Sequence, residues 1–453
     1  MSLAEAVRLV RSSELDPSER PGPTLPAPAG PAEPLESSGR SGAVARALAA
    51  IDASDPRWHA WAYVDRTGAA ARAGQADAEV AAGRPRRALE GLPIGVKDVI
   101  DVAGMPCAAG FAPFADRVPA VHADVVSRLV EAGAVVVGKT VTTQFAFSDP
   151  AVSVNPWDAG RTPGGSSSGS AVAVAVGHVP AALGTQTSGS TIRPAAYTGI
   201  VGFKPSRGRL PLSGVFPLAW SIDEVGILAD TVATCVEVFR AVTGSAPVVR
   251  AGGAPVRVGL LEDAFELATG EVAASVADIG RILADGGAEL APVRLGLLDP
   301  IAAAHQVVMS AEISAIHARE HQRNPAHYAP KIAQAVQDGH GVSGRDYLDA
   351  QRLRRRLHAD VLARFATTDA WLLPSVADVA PTRETTGDRS LQIPASLLGL
   401  PAISIPSGRS AAGLPIGAQL VAAPGRDELV LTLAGSVTRS TGRLPSPGTG
   451  VTP

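Results

Sequence analysis

Gly133-Ala134-Val135-Val136-Val137-Gly138-Lys139-Thr140 matches, letter for letter, the pattern of a phosphate-binding loop, and its physical chemistry opposes that reading. A phosphate loop needs flexible residues between its glycines so that backbone amides can turn inward, and it must follow a strand and open a helix. Here the four intervening residues are Ala and Val, which suit a fully buried strand. Residues 123–132 before them read as a helix ended by Gly133. Helix, glycine, buried strand is the grammar of an α/β sheet. A nucleotide-binding protein is kept only as a remote alternative, and Lys139 and Thr140 are expected simply to follow a core strand.

Outward from this unit the alternation continues. Residues 94–102 alternate like a strand, 171–176 form a small-residue helix, and 180–185 and 199–204 are short strands or turns. Helical patterns at 230–243, 270–286, 301–322, 344–366 and 426–440 are interleaved with strands at 256–261, 371–374, 401–406 and 416–421. Arg352, Arg354, Arg355 and Arg356 are expected to form a solvated helix face. Upstream, 3–14, 42–52 and 66–83 read as helices, and 17–40, rich in Pro, Gly, Ser and Glu, as a loop. Strands alternating with helices argue for layers around one sheet. With no repeat and no clear linker, one large domain is expected.

Composition narrows the function. The chain has 453 residues, 46% hydrophobic, ample for a sizeable core. Charged residues are 18%, below the ~25% average, and the net charge is −3. No basic face is implied, so nucleic acid is not an expected partner. Two unrelated cysteines, Cys107 and Cys235, suggest a reducing compartment rather than a disulfide framework. No apolar run approaches the ~18 residues that span a bilayer, and the N-terminus lacks the apolar core of a signal peptide. A soluble cytoplasmic protein without membrane contact is expected.

The chemistry concentrates in two glycine-hydroxyl loops, Gly164-Gly165-Ser166-Ser167-Ser168-Gly169-Ser170 and Thr187-Ser188-Gly189-Ser190, with an apolar run ending in Lys97-Asp98 upstream. Glycine lets backbone amides approach a reacting atom, serine supplies an attacking or relaying hydroxyl, and burial disfavours the charge on a lysine. Gly165–Gly169 also fits G-x-S-x-G, with Ser167 as nucleophile, but that elbow needs an acid, a histidine and an HGGG-type loop. His305 and His317 lie in polar helical stretches and read as surface or lid residues, and no HGGG segment exists. Neither HExxH nor paired CxxC is present, so no zinc site is expected.

Taken together, Leu92–Asp98, Gly164–Ala171, Ala182–Ser190, Arg193–Ala196, Gly199–Pro205 and Leu398–Pro406 closely resemble the amidase signature family. The resemblance spans about residues 60–440. It implies an α/β fold: a single large domain with a central mixed twisted β-sheet surrounded by α-helices. Residues 1–60 then form an N-terminal helical segment and loop, 61–453 the amidase signature domain, and 295–365 a helical lid region. It implies a Ser–cis-Ser–Lys triad, with Lys97 as base, Ser166 as relay after a cis peptide bond and Ser190 as nucleophile. The backbone of Thr187, Ser188, Gly189 and Ser190 is expected to form the oxyanion hole, and no cofactor or metal is expected. Gln186, Ser188, the Thr191-Ile192-Arg193 order and Gln144 depart from the commonest family pattern, which leaves open how the loop is braced. The expected pocket residues are Met105, Gln144, Phe145, Gly165, Trp220 and Ile222, faced by Met309 and Tyr328 from the lid helices. These groups suggest a small hydrophobic or aryl amide, anilide or carbamate, and no arginine stands out as the partner of a substrate carboxylate. The expected protein is therefore a C–N hydrolase acting through an acyl-enzyme, a monomer or homodimer. The alternative is the amidase subunit of a tRNA-dependent amidotransferase, which the mildly acidic balance disfavours.

Overall fold

Eleven strands form one sheet in a computed structural model that describes residues 1–12, 42–245 and 255–441. In chain order they are β1 (Trp61–Val64), β2 (Pro93–Lys97), β3 (Val135–Thr140), β4 (Ala181–Gln186), β5 (Val201–Lys204), β6 (Glu224–Ala229), β7 (Arg257–Leu261), β8 (Glu289–Val293), β9 (Ala370–Pro374), β10 (Ala402–Arg409) and β11 (Pro415–Ala422). Their spatial order is β1-β3-β2-β4-β6-β5-β10-β11-β9-β7-β8. Pairings of β2 with β3 and β4, and of β7 with β8 and β9, are parallel, and the remainder are antiparallel. The sheet is therefore mixed, as expected, and helices flank it in a single large α/β domain. Among the described residues no helix is long and apolar enough to cross a membrane.

Strand position explains which sequence patterns were legible. β2, β3, β4, β5, β6, β9 and β11 are buried at every residue. Helices cover both faces, so the sequence is continuously apolar rather than alternating. That corrects the 94–102 reading. The strand ends at Lys97, where Val99 and Ile100 donate to the Lys97 carbonyl in a tight turn. β3 runs on through Lys139 and Thr140, which lie inside the strand rather than after it. Edge strand β8 is mostly exposed and carries Pro292, which a central strand would reject for want of an N–H donor.

The helices Leu298–Arg323, Pro330–His340 and Gly344–Arg364 occupy the region expected to form a lid. The N-terminal helix Leu3–Ser12 packs on them through buried Ala6 and Val10, and Arg11 Nε lies 2.6 Å from Asp346 Oδ1. The expected loop at 17–40 lies outside the described residues. The arginine face is only partly solvated. Arg355 is exposed, but half-buried Arg354 donates to the carbonyls of Leu397, at 2.8 Å, and Ser221, at 3.0 Å.

Candidate active site

β2 and β4 are parallel neighbours, so Lys97 at the end of one and the loop after Gln186 at the end of the other emerge at the same edge of the sheet. Three lysines, Lys97, Lys139 and Lys204, are fully buried. Lys139 pairs with Asp98 at 3.0 Å, and Lys204 pairs with Glu224. Among the described residues Lys97 has no carboxylate within ion-pair distance. Its Nζ instead lies 2.8 Å from Ser166 Oγ and 2.7 Å from Thr185 Oγ1. Burial drives its pKa well below the ordinary lysine value, opposed only by the more distant charge of Asp223. A buried amine whose partners are two hydroxyls is pushed toward its neutral form, because no ion pair repays desolvation of the ammonium.

Ser166 follows a cis peptide bond after Gly165. The Gly165 carbonyl accepts from Arg193 Nη2 at 2.7 Å. Gly164 has φ +81°, and a Cβ there would lie 2.8 Å from the Pro194 Cα, so a glycine at 164 is required by both conformation and space. The helix Ser168–Ala175 begins immediately afterwards. Ser167, the elbow candidate, is fully buried and exchanges hydrogen bonds with the backbone of Thr185 at 3.3 Å. It is a packing residue.

The loop Thr187–Ser190 joins β4 to the helix Ile192–Thr198. Gln186, one of the departures from the family pattern, braces it. Its Oε1 accepts the N–H groups of Thr191 at 2.9 Å and Ile192 at 3.0 Å, and its Nε2 donates to Ser396 Oγ at 3.0 Å. Thr187 Oγ1 donates to Asp223 Oδ1 at 2.5 Å, and Asp223 Oδ2 accepts from the N–H groups of Leu218 and Ala219. Burial pushes the Asp223 pKa up to about 6. The Thr187 carbonyl lies 3.0 Å from His305 Nε2, and the Ser188 carbonyl accepts from Ser396 Oγ at 2.7 Å. The carbonyls are thus tied from outside the loop. The N–H groups of Ser188, Gly189 and Ser190 have no protein acceptor among the described residues.

Ser190 lines a cavity of about 260 Å³ together with Thr187, Ser188, Arg193, Phe147, Leu218, Met309 and Arg389. A larger cavity, about 510 Å³, lies between the helices Val232–Thr243 and Asp427–Thr441 and shares no residue with the serine–lysine cluster; the chemistry points to the smaller one.

Most residues expected to wall the pocket lie elsewhere. Met105 and Ile222 are buried in the main core. Phe145 stacks on Phe216, with Phe111, His317 and Tyr328 around it. Trp220 is half exposed and does not line the cavity. Gln144 is a brace: its Oε1 accepts from Ala329 N at 2.7 Å and its Nε2 donates to the His327 carbonyl at 2.8 Å. Gly165 does belong at the site, since a Cβ there would meet Thr386 Cγ2 at 2.7 Å. Met309 lines the cavity, whereas Tyr328 is buried in the aromatic cluster. The apolar wall is supplied by Ala146, Phe147, Leu218 and Met309.

Sequence reasoning missed Thr185, Asp223, His305, Arg193 and Arg389. His305 and His317 are buried, not surface residues, and burial lowers their pKa values to about 3 and about 4. The signal was available for His305: Ile301, His305 and Met309 follow one another at four-residue spacing, the mark of a single buried helix face.

The Amidase family model matches residues 42–431. The chain is similar to a glutamyl-tRNA(Gln) amidotransferase subunit of Anaeromyxobacter sp. (strain K), with 33% identity over 89% of this chain and 93% of that protein. It is similar to a solved amidase, with 30% identity, a TM-score of 0.82 and coverage of 97% of this chain and 100% of that one. It is also similar to the peptide amidase of Stenotrophomonas maltophilia, with 26% identity, a TM-score of 0.78 and coverage of 92% and 96%. A family match across most of the chain, together with structural likeness over most of its length, places the protein in the amidase signature family.

Proposed function

We propose that this protein hydrolyses the C–N bond of a small amide through an acyl-enzyme on Ser190, with Ser166 as proton relay and Lys97 as base. The observation that carries this reading is the bonding of Lys97. Of the three fully buried lysines it alone lacks a carboxylate and contacts serine and threonine hydroxyls instead.

That arrangement supports the following sequence of events. Neutral Lys97 accepts a proton from Ser166 Oγ as Ser166 accepts one from Ser190 Oγ. Ser190 Oγ bonds to the substrate carbonyl carbon, and the carbonyl electron pair moves onto oxygen. The N–H groups of Thr187–Ser190 are the preorganised donors for that oxyanion. Collapse re-forms the carbonyl and breaks the C–N bond, while the proton returns through Ser166 to the departing nitrogen. Water then attacks the acyl ester with the same relay and frees the acid and Ser190. The apolar groups Ala146, Phe147, Leu218 and Met309 support a compact alkyl or aryl part beside the carbonyl. Primary amides, anilides and carbamates present it alike.

Labelling with a fluorophosphonate followed by peptide mapping tests the roles. The label is expected on Ser190 and absent from Ser190→Ala, which is expected to be folded and inactive. A label on Ser166 with Ser190 unmodified overturns the assignment. A second reading, the amidase subunit of an amidotransferase, draws on the relatives that carry the name of a glutamyl-tRNA(Gln) amidotransferase. Amide hydrolysis by the purified chain alone separates the two.

A further inference from the structure

Three cations and one carboxylate line the cavity that holds Ser190: Arg193, Lys331 and Arg389 against Asp388. Many arginines elsewhere are matched to acids. Arg84 and Arg87 hold Glu90, Arg117 holds Asp101, Arg207 lies beside Glu224, and Arg209 beside Asp427 and Glu428. Among the described residues neither Arg193 nor Arg389 has a carboxylate within ion-pair distance.

Arg193 is 4% exposed. Its Nη2 donates to the carbonyl of Gly165 and to Thr386 Oγ1, and its buried Nε has no acceptor. Half-buried Arg389 donates to Gln306 Oε1 at 3.2 Å and approaches Met309 Sδ at 3.8 Å. These partners are a neutral carbonyl and a thioether, which is a weak acceptor. Exposed Asp388 turns its Oδ1 to the Ser390 N–H and hydroxyl. Burial lowers the Arg193 pKa only to about 10, so the guanidinium is charged at neutral pH. Desolvated charge is tolerated where a partner compensates it, and here Asp388 acts on both guanidiniums only from beyond ion-pair distance.

We propose that the substrate of this amidase site carries a carboxylate, remote from the scissile C–N bond, and that Arg389 anchors it with Arg193 beneath. The planar guanidinium offers parallel N–H donors at the spacing of two carboxylate oxygens. A cavity of about 260 Å³ sets the scale: a short acid amide, its carbonyl toward Ser190 and its acid group toward Arg389. This inference rests on Ser190 as the site of acylation. It also changes the expectation of an apolar substrate, because an anchoring anion selects against simple aryl and alkyl amides.

The test is calorimetric titration of the Ser190→Ala protein, which binds without turnover, with succinamic and glutaramic acids and their neutral methyl esters. At least one acid is expected to bind tenfold or more tightly than its ester. Arg389→Gln is expected to bring the pair within about threefold, and Arg389→Lys, which keeps the charge but not the fork, to lie between. Circular dichroism establishes that each variant is folded. Equal or weaker binding of the acids, including no binding of any ligand, overturns the anchor whatever becomes of the nucleophile. Displacement of the acid by an equal concentration of inorganic phosphate overturns its assignment to carboxylates. Turnover of the same amides by the wild-type enzyme, and its loss in Ser190→Ala, tests the acylation reading separately.

Discussion

Replacing Lys97 with methionine is expected to separate catalysis from stability. Lys97 is fully buried and bonded only to the Ser166 and Thr185 hydroxyls. Methionine keeps much of the volume and removes the titratable group. Positioned general bases contribute ~10²–10⁴-fold, or about 3–5 kcal/mol at 1.36 kcal/mol per decade, so kcat is expected to fall by that factor. The acid limb of the pH–rate profile, set by neutralisation of Lys97, is expected to vanish. Stability responds in the opposite sense. The unfolded lysine holds its proton up to ~10.4, whereas the native amine has lost it at a pH well below that. Between the two values the unfolded state binds more protons, so wild-type stability rises with pH across this window. Lys97→Met lacks that slope. Its stability relative to wild type is greatest near the lowered native pKa and declines as pH rises toward ~10.4. Lys139→Met is the control. It strands the Asp98 carboxylate and is expected to cost about 3–5 kcal/mol. Urea unfolding at pH 7 and pH 9, with initial rates over the same range, measures both effects. A Lys97→Met enzyme with the wild-type rate and acid limb, or one destabilised at pH 7 as strongly as Lys139→Met, refutes the reasoning.

Ser166→Ala is expected to lower the rate steeply while leaving slow acylation of Ser190. Adding Lys97→Ala is expected to make it little worse, because groups acting as a unit are not additive; single-turnover rates of the three variants decide, and additive losses count against a relay. His305→Ala frees the Thr187 carbonyl from its tie at 3.0 Å and is expected to reduce kcat ~10- to 100-fold, the equivalent of ~1–3 kcal/mol. Because His305 titrates near pH 3, the profile between pH 5 and 8 is expected to keep its shape; a displaced limb shows that the imidazole exchanges protons in the reaction. Exhaustive dialysis against EDTA is expected to leave activity intact, since a serine–lysine relay needs no Lewis acid, and restoration by zinc or magnesium after a loss contradicts that.

The strands and helices around Gly133 were legible because burial of a central strand writes itself as an unbroken apolar run. β1, β6 and the short helices Ile192–Thr198 and Ile393–Leu398 were not, since four to seven residues carry too little periodicity to stand out. At the site, the glycine-serine loops and Lys97 were readable because they are contiguous motifs. Asp223 and His305 reach the Ser190 loop, and Arg389 the cavity, from elements far along the chain, and nothing local marks their destination. The expected pocket wall was only partly legible, for a related reason: Met309 lines the cavity, but others do not. Met105, Phe145 and Ile222 are neighbours of site segments in sequence, but their side chains turn into the core.

The seam between β5 and β10 joins residues 202–204 to residues 402–404. During translation, β5 therefore waits as an unpaired edge while about 200 further residues are made, on the order of 10–40 s at ribosomal rates. The Ser190 loop waits as well, because Gln392 and Ser396, which close around Gly189 and hold the Ser188 carbonyl, are made in that same late stretch. A nascent chain thus presents a strand edge open to mispairing, and the hydroxyl that would attack an amide is not seated until the far half of the sheet has been synthesised and docked.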